Sequence, residues 1–373
     1  MKVSHSEFYA LGVLAATALL AGCSHVGAQS SGLGFGPAAP GITQSGTDLL
    51  SRPGIPTIAV KAGPSNPDHR KSWVSPDLNR AGNLLFISDY STDDVYIYKM
   101  PVLSLKGVLT DFDGPQGECS DNSGNVWITN TGSSQILKYS HAGTLLKTLN
   151  DPGEDPVGCA VDPKTGNLAV TNIGTPSEGP GEVLIFPNGS GNATAYTNPS
   201  QYYYLFAGYD TRGNLFEDGR SLSSGAFMLS ELRQRRGSRR GSLETISLSG
   251  GTIYFPGMVQ WYPAGGYLAV GDQQCGDQYT SCVYWVSISG TAGTITGTTN
   301  LVNSASDPVC DLVQGVLLSR PKSLAGTDDA LTCGSYLNSS TNLWPFPAGE
   351  YPIDNGVNPG YITPVGAALS VKT

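Results

Sequence analysis

One phrase recurs along the chain: a glycine pair or Gly-Asn, then a short run of aliphatic, β-branched and aromatic residues. Gly82-Asn83 opens the run Leu84–Asp89, Gly124-Asn125 opens Val126–Asn130 and Gly166-Asn167 opens Leu168–Asn172. Gly213-Asn214 opens Leu215–Asp218, and Gly265-Gly266 opens the run that closes on Asp272. Asn83, Asn125 and Asn167 are spaced by 42 residues, and later steps lengthen through insertions. Gln314–Ser319 reads as a sixth, degenerate copy. A period of this length marks an architecture of stacked, similar units.

Each unit reads as a four-stranded meander. In the second copy the spacing predicts an inner strand at Gln116–Ser120, a turn at Asp121–Gly124, and strands at Val126–Asn130, Gln135–Tyr139 and Thr144–Leu149. Asp and Gly at the turns, with β-branched and aromatic runs between them, are hairpin signals. A four-stranded sheet that is apolar on both faces must be covered on both. Radial stacking does this, so six units predict an all-β, six-bladed β-propeller of four-stranded antiparallel blades over residues 55–373. Val365–Ser370 imitates an inner strand, and Thr57–Val60 could pair at an outer edge. Composition agrees: 48 Gly, 25 Pro and only 14% charged residues leave little for long amphipathic helices, and 39% hydrophobic residues argue against disorder.

The run Pro115-Gln116-Gly117, Asp121, Gly124–Asn130 and Ile136–Tyr139 resembles the NHL-repeat and SMP-30/TolB-like six-bladed propellers. So does Pro156-Val157-Gly158, Asp162, Gly166–Leu168, Asn172 and Val183–Phe186. The likeness is good over 73–190 and weaker over 200–370. It implies the fold and says little about function, because propellers host many chemistries. SMP-30-like lactonases would hold a divalent metal with an Asn or Asp before the inner-strand glycine; here those positions are Gln116 and Val157. Virginiamycin B lyase-like propellers would use a histidine. His5, His25 and His69 precede the first blade, and His141 falls in a third-to-fourth-strand turn away from the expected site. No catalytic residue, metal site or cofactor is therefore assigned. Asp111-Phe112-Asp113-Gly114 opens like a calcium loop, but Pro115 takes the next ligand position and no Glu closes it. Calcium is kept only as a weakly supported cofactor.

Residues 1–22 are read as an address. Lys2 is followed by an apolar or small run, Phe8–Leu20, too short to span a bilayer permanently. Leu20-Ala21-Gly22-Cys23 resembles a bacterial lipobox, which implies acylation of Cys23 and membrane attachment. Ser24 after it implies sorting to the outer membrane in a Gram-negative host. Residues 23–54, rich in Gly, Ala, Ser and Pro, are expected to be a tether. The location expected is the bacterial envelope, outside the cytoplasm.

Six cysteines remain after Cys23, an even number in an exported chain. Locality predicts Cys275–Cys282 and Cys310–Cys333 on the ligand-binding face, and Cys119–Cys159 near two inner-strand starts; for the last pair, buried thiols are the alternative. The same face should carry Asp89, Asn130, Asn172, Asp218 and Asp272 at second-strand ends, where Asx-turns are one role and a polar binding ring another. Tyr90, Gln116, Tyr202, Tyr203, Tyr204 and Tyr279 are expected near it as stacking or polar groups for a glycan or an envelope protein, or as filler between blades. The opposite face should carry Arg233, Arg235, Arg236, Arg239 and Arg240, a hairpin tip or a docking patch for polyanions. A net charge of −9 argues against nucleic acid. A monomer is expected. Two functions stay open: a binding or interaction module, and an exported propeller enzyme whose site is not recognised.

Overall fold

The computed structural model describes residues 71–372, apart from residues 153, 175–178, 222, 235–240, 276–280, 302–315, 319–328, 336–339, 350–351, 353, 358 and 363. Among the described residues the regular structure is strand, with three single-turn 3₁₀ segments at Leu78–Arg80, Thr131–Ser133 and Pro187–Gly189.

The recurring Asp and Gly-Asn build the turn from the first to the second strand of a unit. Asp121 accepts backbone N–H bonds from Ser123 (2.9 Å) and Asn125 (3.0 Å), and the Asn125 side chain donates back to it at 2.9 Å. Gly124 takes φ +76°, which a side chain would disfavour. Asp210 repeats the arrangement with Arg212 and Asn214. The Asn also reaches sideways. Asn167 accepts from the Asn188 N–H, and Asn214 from the Gln234 N–H, so this turn is tied to the turn between the third and fourth strands. The repeated phrase is thus a structural requirement of the blade.

The strands form six hydrogen-bonded sheets. The second sheet is Pro115–Ser120, Val126–Asn130, Gln135–Tyr139 and Leu145–Asn150, close to the expected meander. The third is Pro156–Val161, Leu168–Asn172, Glu182–Phe186 and Thr194–Tyr196. The fourth is Gln201–Tyr209, Leu215–Ser221, Phe227–Leu232 and Glu244–Thr245. The fifth is Pro256–Tyr262, Tyr267–Asp272, Ser281–Ser289 and Ala292–Leu301, with Ser247–Ser249 added in parallel outside. The upper face carries the connections between second and third strands and those leading into each inner strand; the lower face carries the other turns.

The first sheet is built from both ends of the chain. Pro364–Ser370 pairs with Leu84–Asp89 as its inner strand, followed by Asp94–Lys99 and Ser104–Leu109. Trp73–Val74 covers the outer edge. Thr57–Val60, expected to pair at an outer edge, lies outside the described residues.

The sixth sheet corrects the repeat reading. Its innermost strand is Val316–Leu318, which sequence spacing placed second; the second strand is Asp329–Ser335. Cys333 therefore lies in a strand opposite Asn342 rather than in a loop. Its expected partner Cys310, and so that disulfide, lies outside the described residues. Val316–Leu318 and Asp354–Val357 are described by backbone pairing alone. Blades described through all four strands with their side chains number five, against six repeats in the sequence.

Sheet-on-sheet packing forms the core. Leu84, Phe86, Val95 and Ile97 of the first sheet pack with Val126, Ile128 and Leu137 of the second. The alternate residues Leu85, Ile87, Tyr96 and Tyr98 pack with Ala330 and Leu343 of the sixth. This period-two division lets every blade bury both faces.

Among the described residues two disulfides are present: Cys119–Cys159, joining the inner strands of the second and third sheets, and Cys275–Cys282, within the fifth. Their sequence separations are 40 and 7. Chain entropy assigns about 4 kcal/mol to the first and less than about 3 kcal/mol to the second. Replacing Cys119 and Cys159 by Ser should lower the melting temperature clearly more than replacing Cys275 and Cys282; equal shifts in calorimetry would contradict this assignment.

Candidate functional site

The five residues expected as a polar ring are buried; four accept from backbone N–H groups, and Asn172 bonds a side chain. Asp89 accepts from the N–H groups of Ser91, Thr92 and Ile362. The Asn130 side-chain Oδ1 accepts from Asp113 N–H at 2.7 Å. Asn172 donates to Asp151 at 2.9 Å. Asp218 accepts from Phe206 N–H and, across to the next sheet, from Gly257 N–H. Asp272 accepts from the N–H groups of Tyr254, Phe255 and Gln274. Each links a second strand to the segment near an inner-strand start, Asp218 from within Leu215–Ser221 rather than from its end. These bonds hold the upper face in place.

At two of these positions the preceding residue reaches the next sheet. The Ser88 hydroxyl donates to the Gln116 carbonyl of the next sheet, and Thr171 donates to Leu205 O of the next sheet at 2.5 Å. Gly158 lies so close to that strand that an added Cβ would sit 2.3 Å from Leu205 O. Gln116 is buried on its inner strand, and its side-chain nitrogen has no acceptor among the described residues. In the calcium-like stretch, Asp113 accepts from Ser133 Oγ, and Gly114 N–H donates to Asp93. Among the described residues no three His, Cys, Asp or Glu side chains are grouped to hold a metal ion.

The partly exposed chemistry of the upper face lies across the fourth and fifth sheets. Tyr202 and Tyr203 meet edge to face, with centroids 4.9 Å apart. Tyr203 stands opposite Arg220 in the strand register. The Arg220 guanidinium lies 4.9 Å over the Phe255 ring, and its Nε donates to Gly225 O at 2.6 Å. Tyr254, beside Phe255, is 53% exposed. Tyr284 contacts Cys275 through its hydroxyl, 3.4 Å from Sγ, so the Cys275–Cys282 bridge abuts the same strip. Sequence reasoning found Tyr202, Tyr203 and this disulfide. It missed Arg220, Tyr254, Phe255 and Tyr284, because inter-sheet approach alone brings them together.

Other expected site residues separate. Tyr90 is half-buried on the upper face, and burial, then Asp113, Asp155 and Asp93, push its hydroxyl up. Tyr204 is buried and hydrogen-bonds the Asn198 backbone, so it packs between blades. Tyr279 lies outside the described residues, as do Arg235, Arg236, Arg239 and Arg240. Arg233 pairs with Glu231 at 2.8 Å. The bond from Gln234 to Asn214 places the start of that segment on the lower face. His141 is also there, 2.7 Å from Ser370 Oγ.

No protein-family model matches the chain, and no curated protein matches it. Solved structures do. A chain of the nidogen/laminin complex is 12% identical, covering 78% of this chain and 100% of that one at a TM-score of 0.56. A protein of unknown function from Bacteroides caccae is 12% identical, covering 79% and 100%, at 0.54. Kuenenia stuttgartiensis hydrazine synthase is 15% identical, covering 80% and 88%, at 0.53. What they share with this chain is the fold. The chain is an all-β propeller of four-stranded antiparallel blades.

A buried carboxyl between the third and fourth sheets yields a pH dependence. Burial pushes Glu217 from 4.5 up to about 8, while hydrogen bonds from Gln201 and Ser230 pull it down. Gln201 donates to Glu217 at 2.7 Å. Above about pH 5 the unfolded chain releases a proton that the folded chain keeps. The stability carried by this group is thus complete at low pH, falls as pH rises toward about 8, and then levels off. Burial shifts Glu118 and Asp218 in the same direction. Glu217→Gln should therefore flatten, without abolishing, the decline in melting temperature from about pH 5 to 8. An unaltered slope would mean that Glu217 ionises normally in the fold.

Proposed function

We propose that this chain is an exported, lipid-anchored propeller that binds a ligand or partner on its upper face. The observation carrying this reading is the partly exposed strip Tyr202, Tyr203, Arg220, Tyr254 and Tyr284, held beside the Cys275–Cys282 bridge. Tyr and Arg are the side chains that concentrate binding energy at protein surfaces. The strand-end carboxylates, by contrast, are engaged with backbone N–H groups, which favours recognition over catalysis by those residues. The six sheets, with contacts between successive inner strands, support a ring of six blades.

The resemblance of Leu20–Cys23 to a lipobox supports acylation at Cys23 and attachment to the envelope, at the outer membrane in a Gram-negative host. The Gly, Ala, Ser and Pro content of residues 23–54 suits a tether between such an anchor and the propeller. Cys23→Ser should leave the leader uncleaved or release the protein from the membrane fraction; normal processing with full membrane retention would refute the anchor.

The binding face has its own test. Full-length protein, Tyr254→Ala and the lower-face variant Lys164→Ala would be applied to an array of envelope glycans and to solubilised envelope proteins. Signal should fall for Tyr254→Ala and persist for Lys164→Ala. The reverse pattern would place the binding surface on the other face.

A further inference from the structure

We infer that the Tyr202–Tyr203–Arg220–Tyr254 strip takes a carboxylate-bearing saccharide, a chain of uronate-type pyranose rings. This inference rests on the reading of the upper face as the binding face and adds the ligand class.

The strip combines two chemistries at short range. Arg220 is half-buried, and two contacts set its guanidinium plane: the Phe255 ring at 4.9 Å and the Nε bond to Gly225 O at 2.6 Å. A planar, pre-set guanidinium matches the two oxygens of a carboxylate, whereas a flexible surface cation does not. Partial removal from water strengthens such a bond.

Aromatic residues neighbour this cation in both sheets. Tyr203 faces it across the strand pair, with Tyr202 against Tyr203; on the other side Tyr254 adjoins Phe255. Tyr254 is the more open, at 53% exposure. Flat apolar rings next to a carboxylate-binding cation suit a sugar whose ring presents a C–H face and whose carboxylate stands at its rim. A neutral sugar would offer the guanidinium no carboxylate. An acidic peptide would find few backbone partners, because the strip consists of side chains at strand ends and not an open sheet edge. Two backbone restraints keep it rigid. Asp272 fixes the N–H groups of Tyr254 and Phe255 at 2.9 Å each, and the Cys275–Cys282 bridge contacts Tyr284.

The test uses full-length protein in detergent with oligogalacturonate, its fully methyl-esterified form, and poly-glutamate, followed by calorimetry. Oligogalacturonate should bind, and more weakly as salt rises. Its ester and poly-glutamate should bind at least about tenfold more weakly. Arg220→Gln should lose about tenfold or more in affinity. Tyr254→Ala should lose several-fold with an unchanged melting temperature, which guards against a variant that merely unfolds. Lys164→Ala should bind as the parent does. Equal binding of the ester, equal binding of poly-glutamate, or no binding of oligogalacturonate would overturn the ligand class. Each of these leaves the upper-face reading standing if Tyr254→Ala still loses envelope ligands. Loss on Lys164→Ala with full binding by Tyr254→Ala would overturn the face itself.

Discussion

The fold depends on a stitch made at the second strands. In the first and third sheets a serine or threonine there donates its hydroxyl to an inner-strand carbonyl of the next sheet, Ser88 to Gln116 and Thr171 to Leu205. The Asp or Asn that follows takes up the backbone near an inner-strand start, as Asp89 does at Ile362 and Asp272 at Phe255. Inner strands of different sheets have no continuous ladder between them, so these side-chain bonds supply partners for buried backbone groups that would otherwise cost about 1–3 kcal/mol each. In the fifth sheet the equivalent residue is Gly271, which packs against Gly257 of the same sheet's inner strand.

The same stitch decides how far function could be read from sequence. Asp89, Asn130, Asn172, Asp218 and Asp272 stand out by their regular spacing, and regular spacing is what a structural role in every blade produces. A binding strip made once, by one pair of blades, leaves no periodic trace. Arg220 follows Asp218 by two residues and carries no signal of its own; only the approach of Phe255 from the neighbouring sheet gives it a role. The strands of the second copy were legible almost to the residue, because Asp121 and Gly124-Asn125 mark their turn. The sixth copy was misread by one strand, because Gly315-Val316 imitates the phrase while the chain uses it to begin the sheet. Local disulfides were legible from cysteine proximity, as Cys275–Cys282 and Cys119–Cys159 show.

Buried acids give this propeller an unusual electrostatic character. Glu118, Glu217 and Asp218 are each enclosed, and desolvation favours their protonated forms. A carboxyl that keeps its proton can serve as a compact polar group between blades. It also links the fit of neighbouring blades to pH, most directly through the network of Gln201, Glu217, Ser230 and Asn198.

The pairing of Pro364–Ser370 with Leu84–Asp89 has a consequence for the order of events in synthesis. The chain is made from its N-terminus, so the first sheet stands without its inner strand until residues 364–370 have appeared. Each sheet in between can form its own hairpins first, but the first blade is incomplete until then. A chain interrupted before residue 364 would therefore leave the first blade's inner edge open, a row of unpaired amides and carbonyls able to capture a strand from another molecule.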